Sequence, residues 1–281
     1  MHKDATTELL DCFWRTGTND LGSPAFPVAI IVAHADDEVL GVGSQLPKLR
    51  RASFVHVTDG SPRNPCDATR LGFQTREAYA DARQRELLTT LALAGINPAQ
   101  SHMLGFVDQE ASLNLSAITL AIMKLIRQLQ PEVILTHPYE GGHPDHDATA
   151  FAVHTACRLL TKEGTISPAI IEMTFYHSRD GAMTASDFLP GSSGAITTVV
   201  LSELECILKR RLLDCYVTQQ MTLKPFLMGI ERFRPAPAYD FRQPPHEGRL
   251  YYEFFDWGMA GASWRKLAEQ ALITLGLEER P

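Results

Sequence analysis

The stretch FPVAIIVAHADDEVLGVG, residues 26–43, sets the longest apolar run of the first half of the chain directly against a histidine and three acids. Residues 26–33 are apolar without polar alternation. That is the pattern of a strand covered on both faces, as in a parallel sheet. The unbroken His-Ala-Asp-Asp-Glu that follows crowds like charges at the strand end, where a positive centre would relieve their repulsion.

Working outward, the same theme repeats. SFVHVTDG (53–60) reads as a second strand, and TREAYADARQRELLTTLALAG (75–95) as a long helix capped by Thr75 and stopped by Gly95 and Pro98. The intervening 61–74 segment is rich in turn formers and long enough to cover a site. A short strand near HMLGF precedes a helix over LSAITLAIMKLIRQLQ, and Pro131 punctuates before EVILTHP, a fourth strand that again ends in a histidine. Strands alternating with helices imply βαβ units. The fold class is therefore α/β, a Rossmann-like, mainly parallel sheet with helices on both faces.

AIIEMTFYHS and AITTVVLS read as later strands and ELECILKRRLLDCYVTQQ as a further helix. Residues 1–225 are expected to form the core, with an N-terminal helix at about 5–15. Residues 226–281 form an irregular C-terminal extension of the same domain, Pro-rich at first, then a strand-like LYYEFFDW and a short terminal helix.

The 281 residues carry 26 Lys and Arg against 33 acids, a formal net charge of −7, and no run of basic residues stands out beyond the short KLRR at 48–51; nucleic acid is not expected as a partner. Five cysteines without a CxxC pair argue against a disulfide framework and a thiolate zinc site, and fit a reducing, cytoplasmic compartment. No segment reaches the length of a membrane span, and the acidic N-terminus lacks the apolar core of a signal peptide.

Ligands of open parallel sheets bind at the carboxyl ends of the strands. His34, Asp36, Asp37 and Glu38 follow the first strand; His137, His143, Asp145, His146 and Asp147 follow the fourth. With a helix starting near Glu38, His34 and Asp37 can aim at one centre while Asp36 points elsewhere. GGHPDHD places His143 and His146 at the mouth of the next helix, with Pro144 at its first position. Two histidines and a carboxylate suit Zn²⁺ with one open position, or another divalent ion such as Fe²⁺. Spacing alone does not choose between His143 and His146. The carboxylate left over, Asp36, is the candidate general base, and the remaining histidine can steady an oxyanion or protonate a leaving amine, as a metal-assisted amide hydrolase requires.

AHADDEVLG resembles the (P)HPDDE signature, and HPDHDATA the second histidine motif, of the PIG-L/LmbE family of zinc-dependent N-acetylglucosamine deacetylases. VTDG (57–60), ARQRE (82–86), KRRLLDCYVTQQ and ERF (231–233) resemble further family elements in the same order. The resemblance implies His34, Asp37 and His146 as zinc ligands, Asp36 as general base and His143 as the group assisting the tetrahedral intermediate. It also implies removal of an acetyl group from an N-acetylated amino sugar or its glycoside, with Arg83 near the substrate. Ala35 stands where the family usually has Pro. Gly141 and Gly142 stand where some relatives carry a Tyr, a role for which Tyr139 is the candidate.

Three further assignments complete the expectations. Asp108 is placed to hydrogen-bond sugar hydroxyls, Glu38 to serve the helix start, and Asp59 to cap a turn or orient the site. His137 either lines the cleft or packs, His154 packs, and GVGSQL is discounted as a dinucleotide fingerprint. Soluble relatives commonly assemble, so a homo-oligomer is a further expectation, with YYEFFDW as interface or core. The competing functions are an amidase for a larger N-acyl or non-sugar amide, and a non-catalytic module in which His34, Asp37, His143 and His146 close the metal site.

Overall fold

The computed structural model describes residues 4–14, 23–190, 195–226 and 229–278. In chain order the elements are α1 (Ala5–Trp14), β1 (Val28–Val32), α2 (Asp37–Val42), β2 (Ser53–Pro62), α3 (Cys66–Arg70), α4 (Arg76–Leu93), β3 (Ser101–Asp108), α5 (Leu115–Leu129), β4 (Val133–Thr136), α6 (Pro144–Lys162), β5 (Ala169–Met173), β6 (Tyr176–Arg179), β7 (Ala182–Ala185), β8 (Thr197–Val200), α7 (Glu203–Leu213), α8 (Gln220–Leu223), β9 (Ile230–Pro235) and α9 (Gly261–Thr274), with short 3₁₀ turns between several of them. The main sheet runs β3-β2-β1-β4-β5-β9-β8. Strands β1 to β5 pair in parallel, whereas β9 is antiparallel to both β5 and β8.

β1 carries the logic of the fold. Val28, Ile30 and Val32 face one core with Val39, Leu46, Phe54, Leu87 and Leu91, while Ala29 and Ile31 face the other with Ile118, Ile122, Phe151 and Trp264. Alternate side chains point to opposite faces, so a strand between two helix layers must be apolar throughout. α4 is capped as expected, Thr75 accepting from the Ala78 N–H. Leu115, Ile118, Ile122 and Ile126 of α5 are buried at helical spacing, and Gln130 ends that helix in the left-handed region just before Pro131. Among the described residues no helix is long and apolar enough to cross a membrane.

Three details differ from the sequence reading. The AIIEMTFYHS segment is divided between β5 and β6, because β6 leaves the main sheet to pair with β7 as a separate hairpin. Within the irregular C-terminal stretch, residues 230–235 form strand β9 in the interior of the main sheet. LYYEFFDW is not a strand but contains a 3₁₀ turn, Tyr251–Phe254. Its bulky, strand-prone residues are used for ring contacts instead of a backbone ladder.

β9 also reaches the site side of the molecule. Glu231 accepts from the Ser44 backbone and hydroxyl and pairs with Lys209 at 2.8 Å, and Lys209 also donates to the Leu40 carbonyl at the end of α2. Both charges are buried, and each is neutralised by the other, as burial requires.

Candidate active site

The strand order reverses between β1 and β4, so the loops leaving their carboxyl ends part and open a crevice. The first loop carries His34 to Asp37, the second leads to His143 and His146. A cleft open to solvent lies there, lined by both groups together with Arg83, Asp108 and Gln109.

Three ligating side chains converge in it, Asp37 meeting the two rings with different oxygens. His34 Nδ1 lies 3.3 Å from Asp37 Oδ2, His146 Nε2 lies 3.2 Å from Asp37 Oδ1, and the two ring nitrogens are 3.3 Å apart. A tetrahedral ion with bonds of about 2.0–2.1 Å sets its ligands roughly 3.3 Å apart, so the spacing of this trio fits a divalent ion. The far nitrogen of His34 faces carboxylates, 3.1 Å from Asp108 Oδ1 and 3.4 Å from Asp145 Oδ2, the partners that fix a ligating ring. Asp145 is itself held by the backbone N–H groups of Gln109 and Ala111. A second group, His34, Asp108 and His143, also lies within ligating reach. Among the described residues no cluster gathers His34, Asp37, His143 and His146 together, which the closed-site alternative needs.

Burial alone would raise the Asp37 carboxyl, but His146 and His137 override it and hold that carboxyl well below its ordinary value. Asp37 is thus kept as an anion. It also accepts the His34 backbone N–H at 2.7 Å, which folds the loop back on itself.

Asp36 is turned away from the trio by its backbone, at φ 121° and ψ −27°. A residue with a Cβ pays about 1–3 kcal/mol for such a conformation, which persists only where its surroundings impose it. Arg83 Nη2 does so, donating to the Ala35 carbonyl at 2.7 Å and to Asp36 Oδ2 at 3.1 Å. Glu38 adds a further hold by accepting the Asp36 N–H. Burial pushes the Asp36 carboxyl up and Arg83 only partly offsets it, leaving it at about 7. Among the described residues, Arg83 Nε and Nη1 are buried and find no hydrogen-bond partner.

His143 is the N-cap of α6, its Nδ1 accepting from the Asp145 N–H at 3.1 Å. In the neutral ring this leaves the proton on Nε2 as a donor. Burial, reinforced by His34 and His146, lowers its pKa well below the ordinary value.

Glu38 serves structure, as expected: it is fully buried between His56, at 3.1 Å, and the Tyr216 hydroxyl. Asp59 caps its turn through the Ser61 N–H and pairs with Arg76. His137 resolves as a packing residue that also supports the site, stacked on His146 with centroids 4.1 Å apart and accepting the Ala33 N–H. His154 packs between Tyr239 and Phe241. Tyr139 does not reach the cleft. It is buried against Trp264 and its hydroxyl donates to the Gln243 carbonyl, so the turn at Gly141 (φ 70°) leaves it in the core. The aromatic side of the cleft comes instead from Tyr176, Phe226 and Trp257, none of which stands near either motif in sequence.

The glycines before His143 have a steric reason. A Cβ on Gly142 would lie 2.0 Å from the Tyr176 carbonyl oxygen, a backbone atom that cannot step aside. Gly142→Ala is expected to lower Tm by about 3–10 °C, as overpacking of this degree does, and calorimetry checks it.

The fold and this cluster define a Rossmann-like α/β protein with a candidate open metal site. The family described as PIG-L, GlcNAc-PI de-N-acetylase, matches residues 29–157. The probable N-acetyl-alpha-D-glucosaminyl L-malate deacetylase 2 of Bacillus subtilis (strain 168) is 30% identical over 165 residues, covering 57% of this chain and 72% of that protein. The protein of the same description from Bacillus cereus is 27% identical, covering 57% and 73%. Two solved structures share the fold. The N,N'-diacetylchitobiose deacetylase from Pyrococcus horikoshii has a TM-score of 0.55 at 19% identity, over 84% of this chain and 94% of the other. A deacetylase of teicoplanin biosynthesis has a TM-score of 0.55 at 15% identity, over 76% and 100%. The chain belongs to the PIG-L family.

Proposed function

We propose that this protein is a divalent-metal hydrolase, with zinc as the ion, that removes the acetyl group from an N-acetylated amino sugar or a glycoside of one. The observation that carries the reading is the trio of His34, Asp37 and His146, whose nearest nitrogen and oxygen atoms lie 3.2–3.3 Å apart, beside an Asp36 that Arg83 holds. The relatives named as deacetylases support the substrate class.

His34, Asp37 and His146 would hold the ion, which supplies Lewis-acid polarisation and acidifies a water. Asp36, a carboxyl poised at about 7, accepts the proton of the attacking water. Arg83 keeps it in place from one side and lines the cleft with it. His143 donates an Nε2–H hydrogen bond to the developing oxyanion, and Asp36 passes the proton it took from water on to the leaving amine. Asp108 and Gln109, at the end of β3, face the same cleft and suit ring hydroxyls.

The test is acetate release from N-acetylglucosamine and its glycosides, before and after chelation. Release that stops on chelation and returns with added zinc is expected. A protein that frees only longer acyl groups would favour the broader amidase, and release unaffected by stringent metal removal would refute the metal role.

A further inference from the structure

The aromatic segment near the C-terminus acquires a place next to the cleft. Tyr176 packs on His146 with ring centroids 5.4 Å apart and on Tyr251 at 5.5 Å. Tyr251 meets Phe255 at 5.1 Å, Phe255 stacks on Trp257 at 4.5 Å and 12°, and Trp257 meets His143 at 4.7 Å. His143 and His146 close the circuit at 5.3 Å. The rings thus run without a break from His143 and His146 to the surface. There Phe254 and Phe255 stand 40% and 41% exposed. Rings left open to water beside a ligand cleft offer stacking area to whatever projects from it.

The charges lining the cleft point the same way. Among the described residues that line it, Arg83 is the single Lys or Arg, buried and bonded to Asp36, whereas Asp36, Asp37, Asp67 and Asp108 are all acids. In the aromatic segment, Arg249 lies over the Phe254 ring and donates to the Glu253 carbonyl, while Asp256 is exposed. A dicarboxylate aglycone, such as the malate in the names of the Bacillus relatives, would find in that lining no Lys or Arg besides Arg83.

We propose that the group attached to the amino sugar in this protein's substrate is an uncharged, apolar aglycone, aryl or alkyl, that leaves the cleft across Trp257 and Phe255. The proposal rests on the deacetylase reading above.

It is tested by comparing acetate release from free N-acetylglucosamine, its phenyl and octyl glycosides, and its malate glycoside. The apolar glycosides are expected to exceed the malate glycoside in kcat/KM by about tenfold or more, one well-stacked ring supplying a factor of that order. Phe255→Ala, at an exposed position, should bring the ratio of phenyl glycoside to free sugar down several-fold, mainly through KM. Quenching of tryptophan fluorescence by the phenyl glycoside in metal-free protein gives an independent reading of binding and should weaken in the same variant. A malate glycoside used as well as or better than the apolar ones overturns the proposal while leaving the deacetylase intact. Acetate from none of the four overturns both. An unchanged substrate ratio in Phe255→Ala, with a smaller assembled mass on sizing, would assign the aromatic face to a second copy of the chain and also overturn it.

Discussion

Asp36→Asn is expected to keep its metal and to lose about 10²–10⁴-fold in turnover, the range over which general-base catalysis contributes. The substitution is well matched to the site. Asn tolerates a positive φ better than other residues with a Cβ, so the 121° backbone of position 36 has no added reason to relax. Its side-chain oxygen can still accept from Arg83, which the wild-type carboxylate does at 3.1 Å. What disappears is the ability to take a proton from water. The measurement is acetate release alongside metal content by elemental analysis. Undiminished turnover would remove Asp36 from the base role, and loss of metal would show that its work lies in shaping the ligand loop.

His146→Ala removes one corner of the donor trio, and both metal content and acetate release are expected to collapse, from about one ion per chain to well under one. The remaining donors, His34 and Asp37, are adjacent on a single loop and leave too open a site to hold a divalent ion tightly. Equilibrium dialysis against a metal buffer reads the affinity without relying on turnover. Retention of a full equivalent of tightly held ion would move the site to the neighbouring group of His34, Asp108 and His143.

The parts of this architecture that the sequence announces are the ones encoded within a few residues. β1 is readable because a strand between two helix layers has to be apolar on both faces, and the 28–32 side chains do divide between the two cores. His34, Asp37, His143 and His146 are readable because each pair stands three residues apart at the start of a helix, with the backbone geometry supplied locally. Arg83 and Asp108 also reach the cleft, carried there by the second and third βαβ units.

What the sequence does not announce depends on long-range paths. Tyr139 is three residues from the end of β4, but burial against Trp264 from α9 decides its direction, and no pattern near position 139 encodes that. Tyr176, Phe226 and Trp257 reach the cleft from a hairpin, a turn and an irregular segment, whose positions depend on the packing of the whole sheet. Asp145 carried a weak signal: it lies within the second histidine motif, yet its part in orienting His34 is visible only once β1 and α6 stand side by side.

The interior position of β9 has a consequence for how the molecule is made. Among the described residues, β8 pairs with the main sheet only through β9, which follows it in the chain and lies between it and β5. During synthesis, the outer edge of β5 therefore emerges well before the strand that will cover it. At roughly 5–20 residues per second, that edge waits on the order of several seconds with its hydrogen-bonding groups unmet. A nascent chain at this stage can display both motif loops and still lack a finished sheet. The newborn protein is most exposed to mispairing with its neighbours just before residues 230–235 slide into the gap.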